Sequence, residues 1–242
     1  MTHLSTQNQP TVAFHTLGCK VNQHDSAIMA ALFQEAGYEV TNFNEKADVY
    51  VINTCSVTHL SDRKSRQMIR RAASENPEAA IVVCGCYAQT APQELEGLPE
   101  VSLIIGTNER HKVVEAVEQY KIDHKKATYL PTDDELFVYE DLPHERVSGM
   151  TRAYVKIQEG CDQFCAYCVI PYARGPLRSR SEEDTLAEIR TLVAQGYKEV
   201  ILTGIHIGAY GRGVKDTTCD LTGLCKRILE ETEIARLRIG SL

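Results

Sequence analysis

An α/β fold in two successive units is predicted by three observations. Strand-like apolar runs alternate with helical patterns through most of the chain, several cysteines fall just after the strand-like runs, and a polar, acidic stretch separates the two halves. With 242 residues, 43% hydrophobic and 24% charged, the chain has material for one large core or two smaller ones. The first unit is expected over residues 11–120, a linker over 121–150 and a second unit over 151–242.

In the first unit TVAFHTL reads as a strand, and Asp25 to Ala36 as a helix, from the spacing of Ile28, Leu32 and Phe33 and the stop at Gly37. ADVYVINT is a strand and Ser61 to Ser74 a basic amphipathic helix. AAIVVCG is a strand, Pro92 to Leu98 a short helix, VSLIIGT a strand and His111 to Tyr120 a helix. This order predicts a doubly wound parallel sheet, a fold that binds ligands beyond the carboxyl ends of its strands. Lys121 to Met150, polar and acidic with Pro131 and Pro143, reads as a linker or a partly ordered excursion.

In the second unit RAYVKIQ is a strand, Glu182 to Gln195 a helix, KEVILTG a strand, Leu221 to Glu231 a helix, and ARLRIGS a last strand. Three strands cannot close a barrel. A coding sequence cut short is the expectation, and the alternative is a small three-stranded layer completed by a partner.

Composition excludes several classes. There is no apolar run of about 18 residues and no basic, apolar, small-residue order at the start, so no membrane span or secretion signal is expected and the cytoplasm is the default. A formal charge of −7 argues against a surface generally suited to nucleic acid. The charge is uneven, however. Arg63, Lys64, Arg66, Arg70 and Arg71 cluster on one helix, either as a contact for RNA or as a solvated face, and Arg174, Arg178 and Arg180 follow one another without an acid between. These three suit either a phosphate or carboxylate ligand or contacts between the units.

Nine cysteines point to metal or thiol chemistry, since a cytoplasmic chain rarely uses them as disulfides. The segment CDQFCAYC places Cys161, Cys165 and Cys168 just after a strand. Three such thiolates suit an iron–sulfur centre, whereas a structural zinc would want a fourth protein ligand. Cys19, Cys55 and Cys86 each follow a strand of the first sheet, where parallel strand ends lie side by side. Spacing alone leaves them either a second three-thiolate site or structural or redox thiols. Cys84 reads as a buried strand residue, and Cys219 and Cys225 as free or packed thiols.

The loop Cys161 to Cys168 resembles that of the radical S-adenosylmethionine superfamily, and TLGCKVN, INTCSVT and GCYAQ resemble the signature segments of its methylthiotransferases. The likeness runs from about Thr11 to Leu242. It implies that the second unit is the first part of a radical S-adenosylmethionine β/α partial barrel. It also implies two [4Fe–4S] clusters: one on Cys161, Cys165 and Cys168 with an open iron for S-adenosylmethionine, and an auxiliary one on Cys19, Cys55 and Cys86. Tyr167, just before the last loop cysteine, matches the aromatic of that family's loop, either near adenine or in ordinary loop packing.

Lys20 and Val21 after the first cysteine, with DRKSRQMIRRA and KIQEGCDQFCAYCVIPYARGPLRSR, resemble the branch that acts on N6-threonylcarbamoyladenosine at position 37 of tRNA. That resemblance implies a tRNA partner, an electron donor and a methylthio transfer to C2 of the adenine. The alternatives are isopentenyladenosine in tRNA, an aspartate of a ribosomal protein, or an inactive cluster-binding fragment. Asn22 and Asn53 could orient cluster loops or act as local caps, and His206, in GIHIGAYG, reads as a loop side chain.

Overall fold

The computed structural model describes residues 9–56, 59–142, 151–212 and 219–240. Residues 143–150 of the expected linker, Val57 and Thr58 of the second cysteine segment and Ser241 of the last expected strand lie outside the described residues.

The first unit follows the order β1 (Thr11–Thr16), α1 (Lys20–Glu35), β2 (Glu39–Thr41), β3 (Val49–Thr54), α2 (His59–Glu75), β4 (Ala80–Gly85), α3 (Cys86–Thr90), α4 (Pro92–Glu96), β5 (Leu103–Ile105), α5 (Val113–Asp123) and β6 (Ala127–Tyr129). The strands form one six-stranded sheet in the order β2-β1-β3-β4-β5-β6, with every pairing parallel. Strands β3 and β4 are buried along their whole length, which their unbroken apolar runs require of a sheet covered on both faces. On one face Met29 and Phe33 of α1 and Val113 and Val117 of α5 pack against Val49, Val51, Val82 and Leu103. On the other, Ile69 of α2 and Leu95 of α4 pack against Ile52, Ile81, Val83 and Ile104.

Three departures from the sequence reading have physical causes. Helix α1 begins at Lys20 and not near Asp25, because its first turns carry the polar residues Asn22, His24, Asp25 and Ser26, which hide the period yet are buried. Strand β2 is a short edge strand that gives little alternation to read. Within the expected linker, Ala127–Tyr129 adds a sixth strand beside β5, with its own run too short and too polar to signal it.

The second unit comprises β7 (Arg152–Lys156), β8 (Gln158–Glu159), α6 (Ile170–Arg174), β9 (Arg178–Ser179), α7 (Glu182–Ala194), β10 (Glu199–Thr203), α8 (Leu221–Glu231) and β11 (Arg236–Ile239). Strands β11, β10 and β7 form a parallel three-stranded sheet that is not closed, and β8 and β9 form a small antiparallel pair. Leu186, Ile189 and Leu192 of α7 and Leu224 and Ile228 of α8 cover the sheet. Ser181 caps α7 by accepting from the Asp184 amide, and Asp220 caps α8 in the same way through Gly223. Among the described residues no helix is long and apolar enough to cross a membrane.

The two units pack together through α1 against β7 and α3 against α6. Their junction holds a buried set of charges, described next.

Candidate metal centres

Because β1, β3 and β4 are neighbours, the residues that leave their carboxyl ends share one edge of the sheet. Cys19 stands at the N-cap of α1, Cys55 directly after β3, and Cys86 opens α3 directly after β4. Cys55 and Cys86 are buried and Cys19 is exposed. Burial raises the Cys86 thiol pKa; Arg174 works against this, while Cys55 and Cys19 are close enough to add to it.

Two glycines make this convergence possible. Gly18 has φ +102°, and a Cβ there would lie 2.8 Å from Cys55 Cβ and 3.0 Å from its sulfur. Gly85 has φ +88°, and a Cβ there would stand 2.4 Å from both Asn53 Oδ1 and the Thr54 carbonyl oxygen. Each turn needs a left-handed backbone and no side chain, so that the strand can bend directly into its cysteine. Asn22 is a strut rather than a local cap: its amide donates to the carbonyls of Leu17 (2.7 Å) and Thr54 (2.8 Å), tying the Cys19 and Cys55 loops. Asn53 donates to the Asn22 carbonyl at 2.9 Å and to Ser26 Oγ at 3.0 Å. Cys84 is buried inside β4, and burial pushes its thiol up to about 12, which suits a packed strand residue.

Cys161, Cys165 and Cys168 lie in the loop between β8 and α6. The Cys161 amide donates to the Gly175 carbonyl at 3.2 Å, and the Cys168 amide to the Cys165 carbonyl at 2.8 Å. Phe164, with φ 45°, and Tyr172 meet edge to face at 5.8 Å between ring centres. Tyr167 is 92% exposed, so it does not pack within its loop. Gln158 braces the approach: its amide donates to the carbonyls of Glu159 and Gly160, and its oxygen accepts from the His206 amide. His206, read from sequence as an ordinary loop side chain, has a ring nitrogen within 4.8 Å of ligand atoms of Cys161 and Asp162. Cys219 and Cys225 lie apart, beside and within α8.

Among the described residues, neither cysteine triad has all three sulfurs within 4.8 Å of one another. A single zinc bonded at about 2.3 Å would draw three thiolates to within about 4 Å. The all-sulfur donors and three ligands per site are of the kind that fits a four-iron cube, which takes each thiolate on a separate iron.

The arginines after the loop are protein struts. Arg174 is fully buried and reaches into the first unit: Nη1 donates to Asp25 at 2.8 Å and Glu159 at 2.9 Å, Nη2 to Asn22 at 2.5 Å, and Nε to Cys86 Sγ at 3.4 Å. Arg178 donates to the Arg174 carbonyl and to Asn108, and Arg180 pairs with Asp141 and Glu188. Their expected alternative use, holding a phosphate or carboxylate ligand, is therefore corrected: all three are buried and engaged with the protein.

Sequence reasoning missed the rest of this network. Lys156 Nζ lies 2.9 Å from Asp25 and 2.6 Å from Glu159, and Arg110 pairs with Asp25, Glu159 and Glu140. Burial opposes ionisation of Asp25, but Arg110, Lys156 and Arg174 outweigh it and hold its carboxyl well below the ordinary range. Burial likewise opposes ionisation of Glu159, and Lys156 and Arg174 prevail, bringing it down to about 2. The available signal was KIQEG: a strand that turns charged just before a cysteine loop. Of the basic residues of α2, Arg66 donates to Tyr87 at 2.5 Å, which donates to Glu94 at 2.6 Å, and Arg71 pairs with Glu75 at 4.0 Å.

The class the fold and site define is a two-unit α/β protein: a parallel sheet with cysteines at three strand ends, followed by an open β/α sheet with a three-cysteine loop after its first strand. Residues 11–106 match the Uncharacterized protein family UPF0004 and residues 155–238 the Radical SAM superfamily. The chain is 46% identical over 233 residues to threonylcarbamoyladenosine tRNA methylthiotransferase MtaB of Bacillus subtilis, covering 96% of this chain and 51% of that protein. It is 35% identical over 229 residues to tRNA-2-methylthio-N(6)-dimethylallyladenosine synthase of the same organism, covering 92% of this chain and 44% of that one. The radical S-adenosylmethionine methyltransferase TsrM of Kitasatospora setae, solved with cobalamin and a [4Fe–4S] cluster, shares the fold with a TM-score of 0.59 at 15% identity, over 93% of this chain and 53% of that one.

The second unit thus matches the radical S-adenosylmethionine superfamily, and the whole chain is similar to the MtaB-like tRNA methylthiotransferases. It spans about half the length of the curated relatives it matches. The radical S-adenosylmethionine fold implies a [4Fe–4S] cluster with S-adenosylmethionine.

Proposed function

We propose that this chain carries the two cluster sites of an enzyme that transfers a methylthio group to C2 of N6-threonylcarbamoyladenosine at position 37 of tRNA. The observation that carries the reading is the pairing of two cysteine triads, each beyond the carboxyl ends of parallel strands, in units that pack through α3 and α6. The choice of substrate rests on the higher identity to the threonylcarbamoyladenosine enzyme, 46% against 35% for the dimethylallyladenosine enzyme.

In this reading Cys161, Cys165 and Cys168 hold one [4Fe–4S] cluster and leave one iron open, and Cys19, Cys55 and Cys86 hold the second. When bound, the first cluster with S-adenosylmethionine supplies the radical that removes hydrogen from the adenine, and the second supplies a place for the sulfur to be methylated and delivered. The residues of the chain fix the geometry. Gly18, Gly85 and Asn22 hold the first three thiols at one sheet edge, Gln158 braces the cysteine loop against the turn at His206, and exposed Tyr167 is available to a nucleoside or cofactor ring. Partners are tRNA and an electron donor, and the setting is the cytoplasm.

The test is mass spectrometry of nucleosides from total tRNA of cells with and without the intact gene. Loss of 2-methylthio-N6-threonylcarbamoyladenosine with accumulation of its precursor is expected. Disappearance of the isopentenyl derivative instead would overturn the substrate, and no change in either would overturn a tRNA acceptor.

A further inference from the structure

Arg174 belongs to the second unit, six positions after Cys168 on α6, yet its guanidinium ends among residues of the first. Nε donates to Cys86 Sγ at 3.4 Å, within range for a hydrogen bond to sulfur. Nη2 donates to Asn22 Oδ1, whose own amide holds the carbonyls of Leu17 and Thr54, just ahead of Cys19 and Cys55. One fully buried side chain thus reaches all three cysteine-bearing strand ends, one directly and two through Asn22.

The remaining donors explain why the fork cannot swing away. Nη1 is shared between Asp25 and Glu159, themselves buried and bound by Lys156 and Arg110. Arginine presents its N–H groups in a fixed plane, so anchoring Nη1 and Nη2 fixes where Nε points. Lysine has the charge without that fork. Hydrogen bonds to the sulfurs and local charge set the potential of an iron–sulfur centre, and a donor to a thiolate favours the reduced, more negative state.

Resting on the reading that Cys19, Cys55 and Cys86 hold the second cluster, we propose that Arg174 is a positioning residue that raises this cluster's reduction potential through its N–H bond to Cys86. The unit that carries the radical cluster thereby tunes the one in its neighbour.

The experiment uses the full chain with Cys161, Cys165 and Cys168 replaced by alanine, reconstituted with iron and sulfide, so that one cluster gives the signal. A redox titration followed by electron paramagnetic resonance compares Arg174 with Arg174→Lys. The lysine variant is expected to assemble the same iron content and to shift its midpoint to more negative potential by at least a tenfold change in the reduction equilibrium, about 59 mV for one electron. An unchanged midpoint with full iron content overturns the proposal.

A measurement on the chain with Arg174 intact covers the case where the variant does not fold. With 15N-labelled arginine, pulsed resonance of the reduced cluster is expected to show 15N coupling from one guanidinium, and its absence overturns the proposal. Failure of the parent to take up any iron overturns instead the assignment of Cys19, Cys55 and Cys86, a distinct result.

Discussion

The two cysteine triads gather their thiols by opposite means. Cys161, Cys165 and Cys168 are neighbours in sequence on a partly exposed loop braced by few hydrogen bonds. Cys19, Cys55 and Cys86 are scattered, and only the parallel order β1-β3-β4, two left-handed glycines and the Asn22 strut bring them to one edge. Local spacing holds the first of these sets together and tertiary structure holds the second. Disturbing the fold should therefore damage the dispersed triad before the contiguous one.

The largest effect tests that division directly. On the proposed reading of one four-iron cluster per triad, alanine at all three positions of either triad is expected to lower bound iron from about eight atoms per chain to about four. The loop replacement should leave the apo protein's unfolding midpoint in urea unchanged, because its cysteines pack little. Replacing buried Cys55 and Cys86 should cost about 1 kcal/mol each by the same measurement. Equal losses of stability from the two triple variants would remove the distinction.

Next in size is Asp25→Ala. It leaves Arg110, Lys156 and Arg174 facing only Glu159 and Glu140, with buried positive charge uncompensated. Breaking such a network costs about 3–5 kcal/mol, read as a lower urea midpoint. If the two units depend on this contact, iron at Cys19, Cys55 and Cys86 should fall while iron on the loop is retained. Gly85→Ala should act the same way on a smaller scale, about 1–3 kcal/mol, since it forces a side chain into a left-handed turn against Asn53 and Thr54. Retention of both clusters in Gly85→Ala would show that the turn before Cys86 yields more easily than its geometry indicates.

This contrast also explains what the sequence could disclose. The loop triad was legible because its signal is local, and the strands β3 and β4 because continuous apolar runs announce a sheet buried on both faces. The dispersed triad could be placed only through the predicted parallel topology, with the resemblance of the surrounding segments adding the rest. The charge network was not legible, because its bonds join residues 131 and 149 positions apart, as in Lys156 to Asp25 and Arg174 to Asp25. The same polar residues disguised the first turns of α1. Arg174 could be read only as a choice between ligand and contact, and its partners decide for contact.

The smallest expected effect separates the rim of that network from its centre by the sign of its pH dependence. At the centre, Asp25 and Glu159 have folded pKa values below their unfolded ones, so their contribution is present above the unfolded value near 4 and is lost as pH falls toward about 2. At the rim, His111 Nδ1 lies 3.0 Å from Glu140, which also binds Arg110. The hydrogen bond to Glu140 raises the His111 pKa against a weaker opposing effect of burial. A raised histidine pKa stabilises below the unfolded value of about 6.5 and loses that stabilisation as pH rises through the folded value. His111 is nearly half exposed, so solvent screens the pair and the gain is small. Urea midpoints measured from pH 5 to 8 should decline slightly in the parent, and His111→Gln should flatten this part of the curve while leaving the acid limb intact. A change in the acid limb would mean that loss of the His111 ring reaches Glu140, whose own carboxyl Arg110 and His111 hold below the ordinary range against burial.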